Sequence, residues 1–283
     1  MPYVLVLPLL VIMSVLAVYP MFLTLIESFL SVHYLDPQIK FVGLSNYAIA
    51  FSDPEIVKSW GQTALYIVFG VFISLSLAVL FAHGLRHKFR GRAIVLAILI
   101  MPWALPGITE GIIWSWIYHP NYGVLNSILK SMGLIGENQL WIGADSFRTI
   151  FFIDLVQIWQ MTPLSTILIL ASMQSIPAEL YEAADMDGAS RFQAMNKITF
   201  PLIRPGLTIA IVETIIITLN IFDQVYVLNG NASSGESIML KTYNVTFQNL
   251  NFGQGYALSF IAVILTMLIS VVVMKLVYKK VEY

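Results

Sequence analysis

The stretch Tyr256–Tyr278, YALSFIAVILTMLISVVVMKLVY, decides the fold, because it is apolar almost throughout and contains one charged residue, Lys275. A membrane hydrocarbon core about 30 Å thick is crossed by about 20 apolar residues of helix. Five similar stretches precede this one along the chain. The predicted spans, within a single transmembrane domain that takes in 1–283, cover about 3–30, 62–85, 93–117, 149–173, 207–228 and 256–278.

The composition agrees with a membrane protein. Of the 283 residues, 58% are hydrophobic and 11% are charged, whereas about 25% are charged in a typical soluble domain. The chain therefore lacks the charged surface that water requires, and most of its surface must face lipid. The apolar runs are also far longer than the roughly 10-residue alternating segments of a membrane β-barrel. We predict an all-α, polytopic membrane protein with six transmembrane helices.

Several functional classes are disfavoured by the same composition. A formal net charge of −1 provides no basic field for nucleic acid. The absence of cysteine excludes disulfides, thiolate metal sites and cysteine nucleophiles. The four histidines show no metal-binding spacing and no convergent acid–base set, which argues against a membrane enzyme. The chain also contains no G-x-x-x-x-G-K-[ST] phosphate-binding loop. We therefore expect no catalytic residue, metal or cofactor in this chain.

Lysine and arginine are concentrated after the second span, after the fourth span and at the C-terminal end. Because positively charged loops stay in the cytoplasm, both termini are predicted to be cytoplasmic. The apolar N-terminal segment lacks a cleavage site and is interpreted as a retained helix, not a signal peptide. The basic residues used are Arg86, Lys88, Arg90, Arg92, Arg191, Lys197, Arg204, Lys275, Lys279 and Lys280.

The loop between spans four and five is long and has a helical pattern: Pro177–Pro205, PAELYEAADMDGASRFQAMNKITFPLIRP. Pro177 suits a helix start, and Glu179 and Glu182 would stand near the positive helix end. Gly188 can end this helix. Small residues provide a surface on which another protein can lie closely: Ala183, Ala184, Gly188 and Ala189. From the residues alone, an ordinary helix–turn–helix at the membrane surface explains the segment equally well.

Several segments, in order along the chain, resemble the sugar permeases of ABC importers of the maltose/trehalose uptake type. Glu182-Ala183-Ala184 followed by Asp187-Gly188-Ala189 resembles their EAA loop. Two departures are Met195, where the family tends to have Phe, and Asn229–Gly235, where it usually has T-x-GGP. The other matching segments are FVGLSNY at 41–47, Trp114-Ser115-Trp116, YGVLN at 122–126 and FDQVYVL at 222–228.

The resemblance implies a mechanism and a set of partners. The EAA loop would form a cytoplasmic coupling helix that fits a cleft on an ATPase subunit, with Glu182 as an ion-paired anchor and Gly188 at the close turn. The remaining implied coupling residues are Ala183, Ala184, Asp187 and Ala189. Two cytoplasmic ATPase subunits would hold ATP and magnesium, and their closure would tilt the spans from inward-open to outward-open.

The resemblance also implies a second permease subunit, forming a heterodimer, in the plasma membrane of a prokaryote. An extracytoplasmic sugar-binding protein would dock on the loops that contain Asn46–Tyr47, Tyr122–Asn126 and Gly230–Gly235. Membrane lipid would surround the spans.

Polar residues within the spans indicate where a solute could pass, since such residues are costly in lipid. The candidates from the residues are Gln157, Gln160 and Thr162 in span four, and Glu213, Thr214, Thr218, Asn220 and Asp223 in span five. The resemblance places sugar-contacting positions at Gln157, Gln160, Met161, Leu164, Thr214, Ile217, Thr218 and Ile221. Alternatively, these polar groups bond neighbouring helices.

The solute is predicted to be neutral, because no Lys or Arg lies within spans four or five before Asp223. Amide and hydroxyl groups suit the hydroxyls of a disaccharide or oligosaccharide such as maltose or trehalose. A glycerol-phosphate permease of the same architecture is one alternative. An ion-coupled secondary carrier is another, with Glu110, Asp154 and Glu213 as relay acids instead of packing groups; such carriers commonly contain internal repeats, and the halves of this chain show no clear self-similarity.

Two further expectations concern local structure. Pro102, Pro106 and Pro163 are predicted to interrupt spans and kink helices. The aromatic residues near the outer face are predicted to be membrane-interface anchors: Trp114, Trp116, Tyr118 and Trp141.

Overall fold

The computed structural model describes residues 2–33 and 36–279. Four of its helices are long and apolar enough to cross a membrane, and two bent helix pairs bring the number to six when each pair is one span. The predicted all-α membrane protein with six spans is confirmed. Lys280, one of the basic residues used to predict orientation, lies outside the described residues.

The first half of the chain starts with a long apolar helix in which a π-helical segment, Ser14–Val18, joins two α-helical parts. A two-stranded antiparallel hairpin follows, with Leu30 opposite Phe41 and Ser31 opposite Lys40. The elements in order are α1 (Pro2–Met13), α2 (Tyr19–Glu27), β1 (Leu30–His33), β2 (Asp36–Phe41), α3 (Ser45–Ser52), α4 (Pro54–Leu85), α5 (Arg92–Ile100), α6 (Gly107–Ile117) and α7 (Val124–Ser131).

The second half of the chain contains a long uninterrupted helix, Ser146–Gln174, and the segment that follows it. Two π-helical segments, Met195–Thr199 and Asn244–Gln248, again continue α-helical parts. The elements in order are α8 (Ser146–Gln174), α9 (Ala178–Met186), α10 (Arg191–Ala194), α11 (Phe200–Leu202), α12 (Arg204–Leu219), α13 (Asp223–Asn229), α14 (Ile238–Tyr243) and α15 (Phe252–Val277).

Span two starts earlier than its apolar pattern indicates. Helix α4 begins at Pro54, because the Asp53 carboxylate accepts hydrogen bonds from the backbone N–H groups of Glu55 and Ile56 at 2.9 and 3.2 Å. Pro54 occupies the first helical position, where its missing N–H costs nothing. The first two turns of this helix are more polar than the rest, so hydropathy alone places the start too late.

Spans three and five are interrupted. A 3₁₀ turn at Pro102–Ala104 follows α5, and the part Arg92–Ala104 meets α6 at 100°. The predicted interruption at Pro102 and Pro106 is therefore present. Span five ends its first part at Leu219, and α13 begins at Asp223. The expectation for Pro163 is corrected in part, because α8 continues through it from Ser146 to Gln174 without a break.

The chain groups into two compact units: Met1–Trp60 with Ile238–Leu265, and Gly61–Ser237 with Thr266–Tyr283. In the first unit, buried apolar residues of α3, α14 and α15 form a core that includes Ala50, Ile238 and Leu258.

The outer-loop motif at 41–47 belongs to the first unit and holds its structure together. Asn46 is 7% exposed, and its Nδ2 donates to the carbonyl oxygens of Ser28 and Leu30 at 2.8 and 3.0 Å. The hydroxyls of Tyr47 and Ser28 share a hydrogen bond of 2.6 Å. The two motif residues therefore fix α3 against the end of α2 and the start of β1.

Two apolar cores are formed by the described residues of the second unit. One packs the ends of α4 and α8 against the segment before α12, and includes Ala82, Met173 and Ile203. The other surrounds Tyr118, Trp141 and Val156. Tyr118 is 5% exposed and Trp141 is 6% exposed, so their predicted role as interface anchors is wrong. Both side chains pack inside the protein because the segment between α6 and α8 folds back over α8.

Candidate functional site

The segment between spans four and five forms a tight helix–turn–helix. Helix α9 ends in a Schellman motif: the N–H of Gly188 bonds to the Asp185 carbonyl at 3.1 Å, and that of Ala189 to the Ala184 carbonyl at 2.9 Å. Gly188 has φ +72°, a left-handed conformation that disfavours any residue with a Cβ. The predicted helix stop at Gly188 is therefore explained by backbone geometry.

The other side of the turn is fixed by a capping box. Ser190 Oγ accepts from the backbone N–H of Gln193 at 3.3 Å, and Gln193 Oε1 accepts from that of Ser190 at 2.7 Å. Each side chain satisfies an otherwise unpaired N–H at the start of α10. The four residues between α9 and α10 are thus held at both ends, which makes the turn a rigid feature of the surface.

A groove of about 370 Å³ lies along this turn, lined by Ala184, Asp187, Gly188 and Ala189 together with residues of α10 and the π segment. The structure thus brings four of the six predicted coupling residues to one concave surface. Glu182 instead lines a neighbouring groove of about 400 Å³ with Arg86 and Asp185. Ala183 is exposed beside them.

Two large apolar side chains flank the turn and were not singled out from the sequence. Met186 is 89% exposed and Phe192 is 75% exposed. Large apolar residues in a loop that faces water are unfavourable unless another surface covers them. The available signal was their position next to the Asp187–Ser190 turn, with Met186 directly before it and Phe192 two residues after it.

The inner side of the segment is anchored in the protein. Tyr181, Ile198 and Phe200 pack against the core formed by the ends of α4 and α8. The hydroxyls of Tyr181 and Thr199 share a hydrogen bond of 2.8 Å, and Thr199 is 1% exposed. The segment is therefore a firmly mounted surface element with one exposed, contoured side.

A second polar site lies where the two interrupted spans meet α8. Gln160 Nε2 donates to the carbonyl oxygen of Leu105 at 3.1 Å, in the break of span three. Gln160 Oε1 accepts from Gln224 Nε2 at 3.1 Å, in the first turn of α13. Gln224 Nε2 also donates to Glu110 Oε2 at 2.9 Å. We call these four residues the junction network. It bridges both breaks through one side chain of α8.

Asp223 completes the contact between α6 and α13. A Cβ placed on Gly107 would lie 2.6 Å from Asp223 Oδ2, so only glycine permits this approach. The carboxylate stands at the N-terminal end of α6, where a negative charge is favoured by the helix dipole. Interrupted helices whose ends face one polar site are a known architecture for solute binding in membrane transporters.

The other predicted pathway residues lie around this region with different exposures. Gln157 is 1% exposed, and its Oε1 accepts no hydrogen bond from any described residue. Asn220 is exposed and donates to the Ile216 carbonyl of its own helix at 2.7 Å. Met161, Thr214, Thr218 and Ile221 are buried, and Leu164 and Ile217 are half-buried.

Two of these residues bond the neighbouring helix. The hydroxyl oxygens of Thr214 and Ser165 lie 3.3 Å apart, and Thr218 Oγ1 donates to Met161 Sδ at 4.0 Å. These contacts join α12 to α8, which agrees with the alternative interpretation that the polar groups bond neighbouring helices. Gln160 is thus the predicted pathway residue of α8 whose side chain bonds to both interrupted spans.

Two further intramembrane acids, the buried Asp154 and the half-buried Glu213, make no hydrogen bond to the junction network that the described residues show. Asp154 is fully buried, and neither carboxylate oxygen has a hydrogen-bond partner among the described residues. The Oε2 atom of Glu213 is in the same situation. Among residues 2–33 and 36–279, no group of three or more His, Cys, Asp or Glu side chains could hold a metal ion.

The loops predicted to form the outer rim are held by their own polar contacts. Asn126 is 1% exposed and bonds to backbone groups of Pro120 and Gln139, so it shapes its loop from inside. The rim after α13, where the sequence departs from the resembled family, is closed by Asn229 Nδ2, which donates to the carbonyls of Ala232 and Ser234 at 2.9 and 2.8 Å.

Comparison with known proteins gives the family. Residues 70–282 match the family described as binding-protein-dependent transport system inner membrane component. The chain belongs to this family. The permease is 34% identical to the "Trehalose/maltose transport system permease protein MalF" of Thermococcus litoralis, over 96% of this chain and 92% of the relative. It is 31% identical to the "Sulfoquinovosyl glycerol transport system permease protein SmoG" of Agrobacterium fabrum, over 96% of this chain and 89% of that relative.

A solved structure shows the same fold. The permease superposes with a TM-score of 0.82 and 18% identity on a chain of a bacterial alginate ABC transporter in complex with an alginate pentasaccharide-bound periplasmic protein. The match covers 96% of this chain and 92% of the other. The resemblance read from the EAA segment is therefore confirmed, and the chain is a multi-pass inner-membrane component of an ABC transporter.

Proposed function

We propose that this permease is the translocation subunit of an ATP-driven importer for a neutral sugar, and that the groove beside Gly188 receives the movement of a separate ATPase subunit. The groove carries the proposal. It combines small lining residues, a turn fixed at both ends, and the exposed apolar side chains of Met186 and Phe192. A protein surface with these properties suits close contact with another protein.

The contacts of the segment with the rest of the protein indicate which helices a movement of the groove would reach. Its inner side packs on the ends of α4 and α8, and it continues through a 71° bend into α12. A push on the groove would therefore reach three spans. ATP hydrolysis, with magnesium, belongs in this proposal to two cytoplasmic ATPase subunits. A second permease subunit and an extracytoplasmic sugar-binding protein complete the assembly, and both termini of this chain lie in the cytoplasm.

The junction network supports a neutral solute. Its side chains are two amides, which bond hydroxyl groups well, and one carboxylate, which repels anions when it is ionised. Within the described helices α6, α8, α12 and α13, the cations are Arg148 and Arg204, and both stand in the first turn of their helix. A disaccharide such as maltose or trehalose is the proposed cargo. The relative named for trehalose and maltose supports it, and the relative named for sulfoquinovosyl glycerol shows that the sugar has to be tested.

The coupling is tested by Glu182→Ala in complexes assembled with the partner subunits in proteoliposomes. We expect capture of the ATPase subunits to weaken and ATP hydrolysis stimulated by the loaded binding protein to be lost, while membrane insertion survives. Glu179→Ala is the matched control, since Glu179 is an exposed carboxylate of the same helix. Equal stimulation in wild type and Glu182→Ala would show that coupling does not pass through this segment.

The cargo is tested by uptake of labelled maltose, trehalose and glycerol 3-phosphate in the same proteoliposomes. Uptake of either disaccharide with dependence on ATP supports the proposal. Uptake of glycerol 3-phosphate would favour the alternative permease of the same architecture. Uptake that continues without ATP while an ion gradient is present would favour a secondary carrier, and would direct attention to Asp154 and Glu213.

A further inference from the structure

The short basic loop between α4 and α5 makes one specific contact with the segment that bears the groove. The guanidinium carbon of Arg86 lies 4.3 Å from the centroid of the Tyr181 ring. This distance is well inside the range at which a cation is attracted to an aromatic face. Arg86 and Tyr181 are both half-buried, so the contact is partly shielded from water.

Tyr181 joins three elements at this point. Its backbone belongs to α9, its ring contacts Arg86 directly after the end of α4, and its hydroxyl bonds to Thr199 in the π segment that leads to α12. The ring also belongs to the apolar core at the ends of α4 and α8. If α9 moves, the end of α4 must therefore move with it, unless the contact between Tyr181 and Arg86 breaks.

The loop that carries Arg86 is itself closed onto α4. The Nε of Arg92, the first residue of α5, donates to the carbonyl oxygen of Leu85, the last residue of α4, at 2.7 Å. This bond satisfies a carbonyl that the helix leaves unpaired. The loop between Leu85 and Arg92 is thus held at both ends, so that it can transmit a displacement from α4 to α5.

We propose that Arg86 is a positioning residue that locks α9 to the end of α4 through Tyr181, so that movement received at the groove also tilts α4 and α5. The inference rests on the proposed function. It adds a route by which spans two and three, which are not continuous with the groove-bearing segment, follow the ATPase. Helix α4 has 32 residues and is about 48 Å long at 1.5 Å per residue, so a tilt imposed at its end would extend along the whole span.

The measured quantity is the ratio of ATP hydrolysis with loaded binding protein to hydrolysis without it, in the assembled complex. Loss of an exposed or partly shielded cation–ring contact corresponds to about a two- to fivefold effect. We expect Arg86→Ala to lower the ratio by about this factor while the ATPase subunits are still captured. Arg86→Lys, which keeps the charge, should retain most of the ratio. Arg90→Ala is the matched control, because it removes a charge of the same loop from an exposed side chain.

A double-mutant cycle distinguishes the contact from a general structural effect. Arg86→Ala combined with Tyr181→Leu should be no worse than the more severe single variant, because each removes the same contact. Tyr181→Phe keeps the ring and removes the bond to Thr199, and its effect should combine multiplicatively with that of Arg86→Ala. Multiplicative effects of Arg86→Ala and Tyr181→Leu would overturn the proposal.

The chain contains no cysteine, which permits a rescue experiment. The double variant Arg86→Cys, Tyr181→Cys should show a low ratio, and a short bifunctional thiol reagent should restore it by linking the two elements again. A ratio that stays low after linking overturns the proposal. If even the wild-type complex shows no capture or stimulation, the proposed function itself fails; if wild type is stimulated and Arg86→Ala equals it, this inference alone fails.

Discussion

Gly188→Ala tests whether the shape of the turn, and not its chemistry, makes the groove. Gly188 has φ +72°, and a Cβ added there would meet nothing within 4 Å. The cost is therefore conformational and not steric, about 1–2 kcal/mol for a residue with a Cβ in the left-handed region. If the variant escapes this strain by unwinding the turn, the population with an intact groove falls about five- to thirtyfold, since 1.4 kcal/mol is a factor of ten.

The assay is the affinity of the reconstituted permease for its ATPase subunits, measured by titration. We expect the dissociation constant to rise by the same five- to thirtyfold factor, because binding must first restore the turn. Gly133→Ala is the matched control: Gly133 has φ +71° and equally open surroundings, but lies in the outer loop. It should carry the same local strain and leave the affinity unchanged. Wild-type affinity in Gly188→Ala, or an equal loss in Gly133→Ala, would refute the reasoning.

Three further predictions concern stability, measured as thermal unfolding in detergent. Gln160→Leu removes two hydrogen bonds of the junction network, one with Gln224 and one with the carbonyl of the half-buried Leu105, and should lower the free energy of unfolding by about 1–3 kcal/mol; no change would show that water replaces the side chain. Gly107→Ala should destabilise, because its Cβ would lie 2.6 Å from Asp223 Oδ2, whereas Gly84→Ala, with nothing within 4 Å, should be neutral or slightly stabilising. Asn46→Ala should cost about 1–3 kcal/mol through two lost bonds, and a neutral result would mean that the motif serves an external partner instead.

The spans were predictable from the sequence, because a helix that crosses lipid needs a long apolar stretch and each predicted span contains one. The first residues of the helices were harder to predict. Hydropathy places the beginning of α4 near 62, whereas the cap formed by Asp53 and Pro54 places it at 54. The break at Pro102 and Pro106 was expected from proline chemistry. Its angle was not, because nothing in a local apolar pattern records how α6 packs on α13.

Within the candidate site, Gln160 was found because an amide in a span is conspicuous. Its partners were harder to find: the Leu105 carbonyl is a backbone group that only the break sets free, and Gln224, although it stands next to Asp223 in the segment at 222–228, was not singled out. The opposite happened at Asn46 and Asn126. Both lie in outer loops expected to dock the binding protein, yet each side chain turns inward to its own loop, because a short motif does not record which way an amide points.

The 100° elbow of span three has a consequence for how the protein is made. Neither arm is long enough to cross about 30 Å of hydrocarbon alone, and the break between them takes peptide groups such as the Leu105 carbonyl out of the helical hydrogen-bond pattern, so that lipid cannot solvate them. During biogenesis this stretch is then unsuited to simple lateral release into the bilayer. We expect this stretch to reach its final conformation only after the fourth span, which carries Gln160, has been inserted. Chains truncated before α8 should therefore be degraded by quality control.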